Sequence, residues 1–200
     1  MLVTCDVAAV AAILNAKPGA VVAYPTETFY GLGARISDHD GIERIVSIKG
    51  RDASKGMIVL ASSMEEVLSL AEVDLKQKAL LAHFWPGPLS AVLRARPGLH
   101  PLLAPGGRVA LRISPHPLAL ALTKAAGPVT STSANPSGMP PAADAPTVAG
   151  SGLDIDAVLD GGRTPGGLPS TLMDLTTWPP ACLREGAITS RLVVERSEDA

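Results

Sequence analysis

Apolar positions along this chain recur with two different periods, and the switches between them outline most of the secondary structure. Val7, Val10, Ala11 and Leu14 follow the i, i+3, i+4, i+7 spacing of a core-facing helical stripe, which Pro18 and Gly19 stop. Asp40 with Glu43, Ser63 with Glu66 and Asp74 with Gln77 have the capping-box spacing of helix starts. The helix after Asp74 must end before Trp85 and Pro86, because the residue preceding a proline is pushed out of the α region. Pro117 suits the first turn of a helix through Ala126, closed by Gly127. Between these lie short apolar, partly β-branched runs that read as strands: 20–24, 57–61, 89–93, 109–113, 129–132, 157–159, 171–175 and 181–184.

Helices and strands alternate early, and strands cluster late. That order predicts an α/β protein with a twisted mixed β-sheet and flanking helices, rather than a regular doubly wound fold. A chain of 200 residues suits one domain, here 1–200 with a core from about residue 5 to about residue 190. The Pro/Ala-rich stretch 136–146 reads as an exposed loop bordering a site.

Composition narrows the class. Hydrophobic residues make up 46% of the chain, enough for a continuous core, and charged residues only 18%, which leaves little for a disordered tail. Aromatic residues reach just 3%, so Ala, Val, Leu and Ile must build that core. The apolar run 7–14 is shorter than the ~20 residues that cross a bilayer, and it lacks the basic start of a signal peptide. A cytoplasmic protein is therefore expected, with Cys5 and Cys182 as free thiols.

The net charge of −2 hides an uneven distribution. Residues 75–143 contain no Asp or Glu but hold Lys76, Lys78, Arg94, Arg96, Arg108, Arg112 and Lys124. Such a segment favours an anionic ligand unless folding brings acids from elsewhere alongside it, and charge alone leaves both open.

Four segments carry candidate chemistry. Tyr24-Pro25-Thr26-Glu27-Thr28-Phe29-Tyr30-Gly31-Leu32-Gly33 follows a strand, with hydroxyls, a carboxylate and glycines that allow close backbone approach. Lys49-Gly50-Arg51 ends a helix, where cations suit the dipole but also suit a phosphate clamp, with Lys55 as a third charge. Ser131-Thr132-Ser133-Ala134-Asn135 follows an apolar strand, at the end where ligands bind in open α/β sheets. On composition alone, local side-chain turns explain that segment better. The glycine-rich run from Asp160 to Thr171 lacks the Gly-Lys-Ser/Thr ending of a P-loop. The histidines His39, His83, His100 and His116 show no metal spacing, and no serine has a nucleophile elbow.

Taken in order, PTET-YGLG, KGR, FWPGP, RVALR, STSAN, the glycine-rich loop with PST, and LREG resemble the YrdC-like family, whose enzymes are threonylcarbamoyl-AMP synthases. The resemblance spans almost the whole chain. It implies a YrdC-like fold and a nucleotidyltransferase reaction. L-Threonine and bicarbonate (or CO₂) form an N-carboxylated amino acid whose carboxylate attacks the α-phosphorus of ATP and expels pyrophosphate. It further implies a product used to make threonylcarbamoyladenosine in tRNA, hand-off to a tRNA threonylcarbamoyltransferase complex, and tRNA binding as an open question. Carried over by position, Arg51, Lys55, Arg108, Ser133 and Arg184 resemble ATP-contacting residues. Thr28, Arg112, Ser131 and Ser170 resemble those that hold threonine. Lys49 and Asn135 complete the K-x-R and S-x-N pairs, so Lys49, Arg51, Ser133 and Asn135 are the expected catalytic centre. Arg112 is expected on the threonine carboxylate and Thr28 on its hydroxyl. Mg²⁺ is expected with the triphosphate, with no dedicated protein metal site.

Three departures set the chain apart from many members of the family: Leu60 stands where they have His, Lys55 and Gly56 where they have Asn-Pro, and Asp52 where they have Pro. The first two resemble the short bacterial form, without a further C-terminal domain. Two other readings compete. One is a non-catalytic RNA-binding protein of the same fold, which the basic stretch favours and the scarcity of stacking aromatics opposes. The other is a carbamoyl-adenylating domain like those of hydrogenase maturation proteins, whose zinc-finger and acylphosphatase-like parts this chain lacks.

Overall fold

The computed structural model describes residues 1–50, 56–136 and 138–199. In chain order the elements are β1 (Leu2–Thr4), α1 (Val7–Ala16), β2 (Val22–Tyr24), β3 (Gly31–Gly33), α2 (His39–Lys49), β4 (Ile58–Leu60), α3 (Met64–Leu70), β5 (Ala71–Glu72) and α4 (Leu75–Phe84). They continue with β6 (Leu89–Ala95), β7 (Arg108–Arg112), α5 (Pro117–Ala126), β8 (Val129–Ser133), α6 (Ala145–Ala149), β9 (Ala157–Leu159), β10 (Thr171–Asp174), β11 (Ala181–Arg184) and α7 (Ser190–Glu198).

The helices start and stop where local chemistry dictates. Asp6 caps α1 by accepting from the Ala8 amide at 2.8 Å. Asp74 and Gln77 form the expected reciprocal box at α4, at 2.8 and 2.9 Å. Ser63 caps α3, but the Glu66 carboxylate reaches past it to the Ser62 amide at 2.6 Å. At α2 the sequence reading places the cap two residues late. Asp38, not Asp40, accepts from the Gly41 amide at 3.1 Å. Its second oxygen accepts from Gly19 at 2.9 Å, so tertiary pairing with the preceding turn decides between the two aspartates.

The strands form one mixed sheet in the order β1-β9-β2-β3-β8-β4-β7-β6-β10-β11, with β5 beside β6. Parallel pairs (β1–β9, β9–β2, β4–β7, β6–β10) alternate irregularly with antiparallel ones (β2–β3, β3–β8, β8–β4, β7–β6, β10–β11), as expected of a mixed rather than doubly wound sheet. Three strands escape the sequence reading. β1 and β5 are two or three residues long, and β3 is Gly-Leu-Gly, a composition that reads as a turn. β3 exists because β2 and β8 flank it, with Leu32 opposite Ala23 on one side and Thr132 on the other. Helices α6 and α7 are also unannounced. α6 reuses the end of the 136–146 stretch, burying Ala145 and Val148, so that this stretch is only partly the exposed loop expected.

Side chains alternate between two cores. Val59, Val109, Leu111 and Met173 join the larger one with Ile42 and Ile45 of α2, Leu80 and Leu81 of α4, Val148 of α6 and Val193 of α7. On the other face α1 and α5 pack together over Val22, Tyr24, Leu60, Val129, Ala157 and Leu159. Positions of the same alternation farther along, Ile58, Ala110, Arg112 and Leu172, line a cavity instead. The site is thus the part of one sheet face that the helices of its own layer leave uncovered.

Candidate functional site

The cavity, of about 520 Å³, takes its floor from β4, β7, β8 and β10 and its rim from the segments before β3 and after β8. Register sets this floor. Ile58 is paired with Ser131 on one side and with Ala110 on the other, while Gly31 lies opposite Ser133. Gly31 keeps this approach close: a Cβ at that position would lie 3.0 Å from the Ser131 hydroxyl, which would have to shift.

Thr28, Lys49, Arg112, Ser131, Ser133, Asn135, Ser170 and Arg184, all expected from sequence, line this one cavity. Arg51 and Lys55 lie outside the described residues. Arg108 is placed elsewhere. It starts β7, is about half exposed, pairs with Asp174 at 3.2 Å and does not line the cavity. Leu60 is core, packed on the α1–α5 side rather than in the cavity wall, so the departure at this position leaves the described lining untouched.

Lys49 ends α2, and Gly50 (φ 54°) turns the chain away in the left-handed conformation. The Lys49 ammonium is buried. It donates to the carbonyl oxygens of Ser133 at 2.6 Å and Asn135 at 3.0 Å, with the Ser133 hydroxyl at 3.4 Å and the Asn135 side-chain oxygen at 3.5 Å. The K-x-R and S-x-N segments therefore touch, through the ammonium. Asn135 is fixed in turn by donating its amide to the carbonyls of Pro136 and Met139.

On the opposite wall the guanidinium of Arg112 is 3% exposed and sits 3.3 Å from the Glu27 carboxylate. Ser114 donates its hydroxyl to the other Glu27 oxygen. Among the described residues, the buried Arg112 Nε and Glu27 Oε1 have no hydrogen-bond partner. His116 lies close by, and burial pushes its imidazole pKa down while the Glu27 charge works against that shift. Burial also raises the phenol of Tyr24, which donates to the Thr130 carbonyl at 2.7 Å beneath the floor.

The glycine-rich segment forms a wall rather than a phosphate loop. Tyr30 donates its hydroxyl to the Gly162 carbonyl at 2.8 Å and accepts from the Gly161 amide at 3.0 Å. The Gly166 amide donates to the Thr28 carbonyl at 2.9 Å. Burial raises the Tyr30 phenol, so it keeps the proton that it donates. Sequence reading missed Tyr30 as a holder of this wall, although its place in the PTET-YGLG motif was visible.

Arg184 closes the far side by donating to the Ser170 carbonyl at 2.8 Å and hydroxyl at 3.1 Å, and that hydroxyl also meets Ser90 at 2.9 Å. The turn behind Arg184 tolerates only glycine. A Cβ on Gly186 would lie 2.2 Å from the Pro169 carbonyl oxygen and 2.5 Å from the Thr171 nitrogen. Gly186→Ala is expected to cost about 1–3 kcal/mol of stability through overpacking, read as a lower denaturant midpoint with unchanged slope. It should also weaken ligand binding by shifting Ser170 and Arg184.

The basic stretch does not form a single field. Asp174 pairs with Arg108, and Glu72 lies opposite Arg94 in the β5–β6 register, so acids from outside the stretch come alongside it. Among the described residues no three His, Cys, Asp or Glu gather in a way that could hold a metal ion, and no helix is long and apolar enough to cross a membrane.

An uncovered sheet face lined by two buried cations and several hydroxyls defines a class: an α/β protein with a polar cavity whose chemistry suits a small ligand bearing anionic groups. The family follows from comparison, since the Sua5_yciO_yrdC family model, described as telomere recombination, matches residues 15–186, and the chain belongs to that family. It is 40% identical to the threonylcarbamoyl-AMP synthase of Pyrococcus abyssi over 177 residues, covering 86% of this chain and 52% of that protein. To the threonylcarbamoyl-AMP synthase of Bacillus subtilis it is 38% identical over 194 residues, covering 94% of this chain and 55% of that protein. The chain thus spans about half the length of these two relatives. The structure of P. abyssi Sua5 complexed with L-threonine superposes with a TM-score of 0.90 at 34% identity, covering 98% of this chain and 60% of that one.

Proposed function

We propose that this chain is a threonylcarbamoyl-AMP synthase, a nucleotidyltransferase that joins L-threonine, bicarbonate or CO₂, and ATP. The observation that carries the proposal is the gathering of Thr28, Arg112, Ser131 and Ser170 with Lys49, Ser133, Asn135 and Arg184 around one cavity. The names of the relatives and the L-threonine complex of P. abyssi Sua5 support the choice of substrate.

In the proposed reaction the threonine amine attacks CO₂ and loses a proton, giving a carbamate. A carbamate oxygen then bonds to the α-phosphorus of ATP as the bond to the bridging oxygen breaks, and pyrophosphate leaves with that electron pair. Arg112 holds the amino-acid carboxylate through its fork, and Ser131 and Ser170 supply further polar contacts at that end. Ser133 and Arg184 face the nucleotide phosphates. The Lys49 charge, fixed beside Ser133 and Asn135, stabilises charge building on the phosphorus oxygens. Holding the reactants in line and offsetting charge supply most of the rate, so no covalent nucleophile is required. Arg51 and Lys55 are proposed to complete the triphosphate contacts, and magnesium would enter with the ATP substrate and offset its charge. The product passes to a tRNA-modifying transferase in the cytoplasm.

The test is pyrophosphate release from ATP, expected to require both threonine and bicarbonate. Turnover with carbamoyl phosphate and no threonine would instead indicate a carbamoyl-adenylating domain. RNA binding without turnover of any substrate would indicate a binding protein.

A further inference from the structure

We propose that Thr26 is a positioning residue that makes the Thr28 hydroxyl a hydrogen-bond acceptor toward the cavity, so that the site selects an amino acid whose β-hydroxyl can donate. The inference deepens the synthase reading and rests on it.

Hydrogen-bond arithmetic fixes the direction. A threonine hydroxyl has one hydrogen to donate and two lone pairs to accept with. Thr26 is 1% exposed, and its hydroxyl donates to the Phe29 carbonyl at 2.7 Å. That contact uses its only hydrogen. The same oxygen accepts from the Thr28 amide at 3.2 Å and lies 3.1 Å from the Thr28 hydroxyl oxygen. Having no hydrogen left, Thr26 must be the acceptor in this last contact, which fills its second lone pair. Thr28 therefore spends its own hydrogen on Thr26.

Thr28 is buried yet lines the cavity, so what it presents there is lone pairs alone. The Phe29 carbonyl also accepts from the Thr26 amide at 3.2 Å, and this closes the turn and holds Thr26 in place. A ligand group meeting Thr28 must then bring a hydrogen. The threonine side-chain hydroxyl does so, whereas a methyl or an ether oxygen leaves the buried acceptor unpaired. Sites built to read a hydroxyl in this way discriminate far more strongly than apolar pockets do.

The experiment measures kcat/KM for pyrophosphate release with threonine, with 2-aminobutyrate, which lacks only the hydroxyl, and with O-methylthreonine, which keeps the oxygen but cannot donate. The wild type is expected to prefer threonine over 2-aminobutyrate by roughly 10²-fold or more. Thr26→Val frees the Thr28 hydroxyl to rotate, and should reduce that preference to within about tenfold, while Thr26→Ser should keep it. A purely structural role for Thr26 would lower both rates in Thr26→Val and leave their ratio unchanged, which would overturn the inference. If Thr26→Val does not fold, by circular dichroism, the wild type alone decides, since equal use of O-methylthreonine and threonine would equally overturn it. Failure of the wild type to use any amino acid would be a failure of the synthase reading, distinct from these.

Discussion

Arg112→Ala should reduce kcat/KM for threonine by roughly 30-fold to several thousand-fold, the range that follows from losing about 2–5 kcal/mol of charged hydrogen bonding. The loss should appear mainly in the KM for threonine, with the KM for ATP little changed. The same variant should lose stability. Arg112 and Glu27 form a buried pair at 3.3 Å, and removing one member leaves the other charge without compensation, at a cost of about 3–5 kcal/mol. Combining Arg112→Ala with Glu27→Gln removes the stranded charge, so it should restore much of the stability and none of the threonine binding. Steady-state kinetics and urea unfolding of the two variants separate these effects. A threonine KM unchanged in Arg112→Ala would remove Arg112 from the amino-acid site.

Lys49→Met should have an effect of similar size by a different route. Methionine keeps most of the aliphatic stem but removes the ammonium that bonds the Ser133 and Asn135 carbonyls. Each carbonyl left unpaired costs about 1–3 kcal/mol, and the chain between β8 and residue 136 loses its anchor. On the proposed reaction, turnover should fall by roughly 10²-fold or more, since the preorganised charge assigned to the phosphorus oxygens is lost. Lys49→Arg should not rescue it, because a planar fork cannot take the place of a compact donor among oxygens on several sides. A Lys49→Met protein with the wild-type rate constant would show that the ammonium serves the fold alone.

Much of this arrangement is legible in the sequence, and the reasons differ between fold and site. Strands 157–159 and 181–184 and the helix from Pro117 to Ala126 were readable to the residue because composition, proline and glycine all agree there. β3 was not, because Gly31-Leu32-Gly33 has no β-forming side chain to announce it, and its neighbours in the sheet supply its hydrogen bonds. The cap at Asp38 rather than Asp40 was equally hidden, since the deciding contact comes from Gly19. For the site, the order of short motifs named eight residues that line one cavity. Charge along the chain could not show that Arg108 pairs with Asp174, because that partner comes from a strand much later in the chain. Nor could spacing reveal that Glu27 sits against Arg112, a contact made between two separate motifs.

Tyr30 and Thr28 tie the glycine-rich wall directly to the segment that enters β3, through bonds from Gly161, Gly162 and Gly166. Mechanically, wall and segment are tied at three points. A displacement that draws Gly166 outward would pull on the Thr28 carbonyl. The wall and the segment before β3 are therefore expected to open together, so that their amides exchange with solvent as one unit rather than separately.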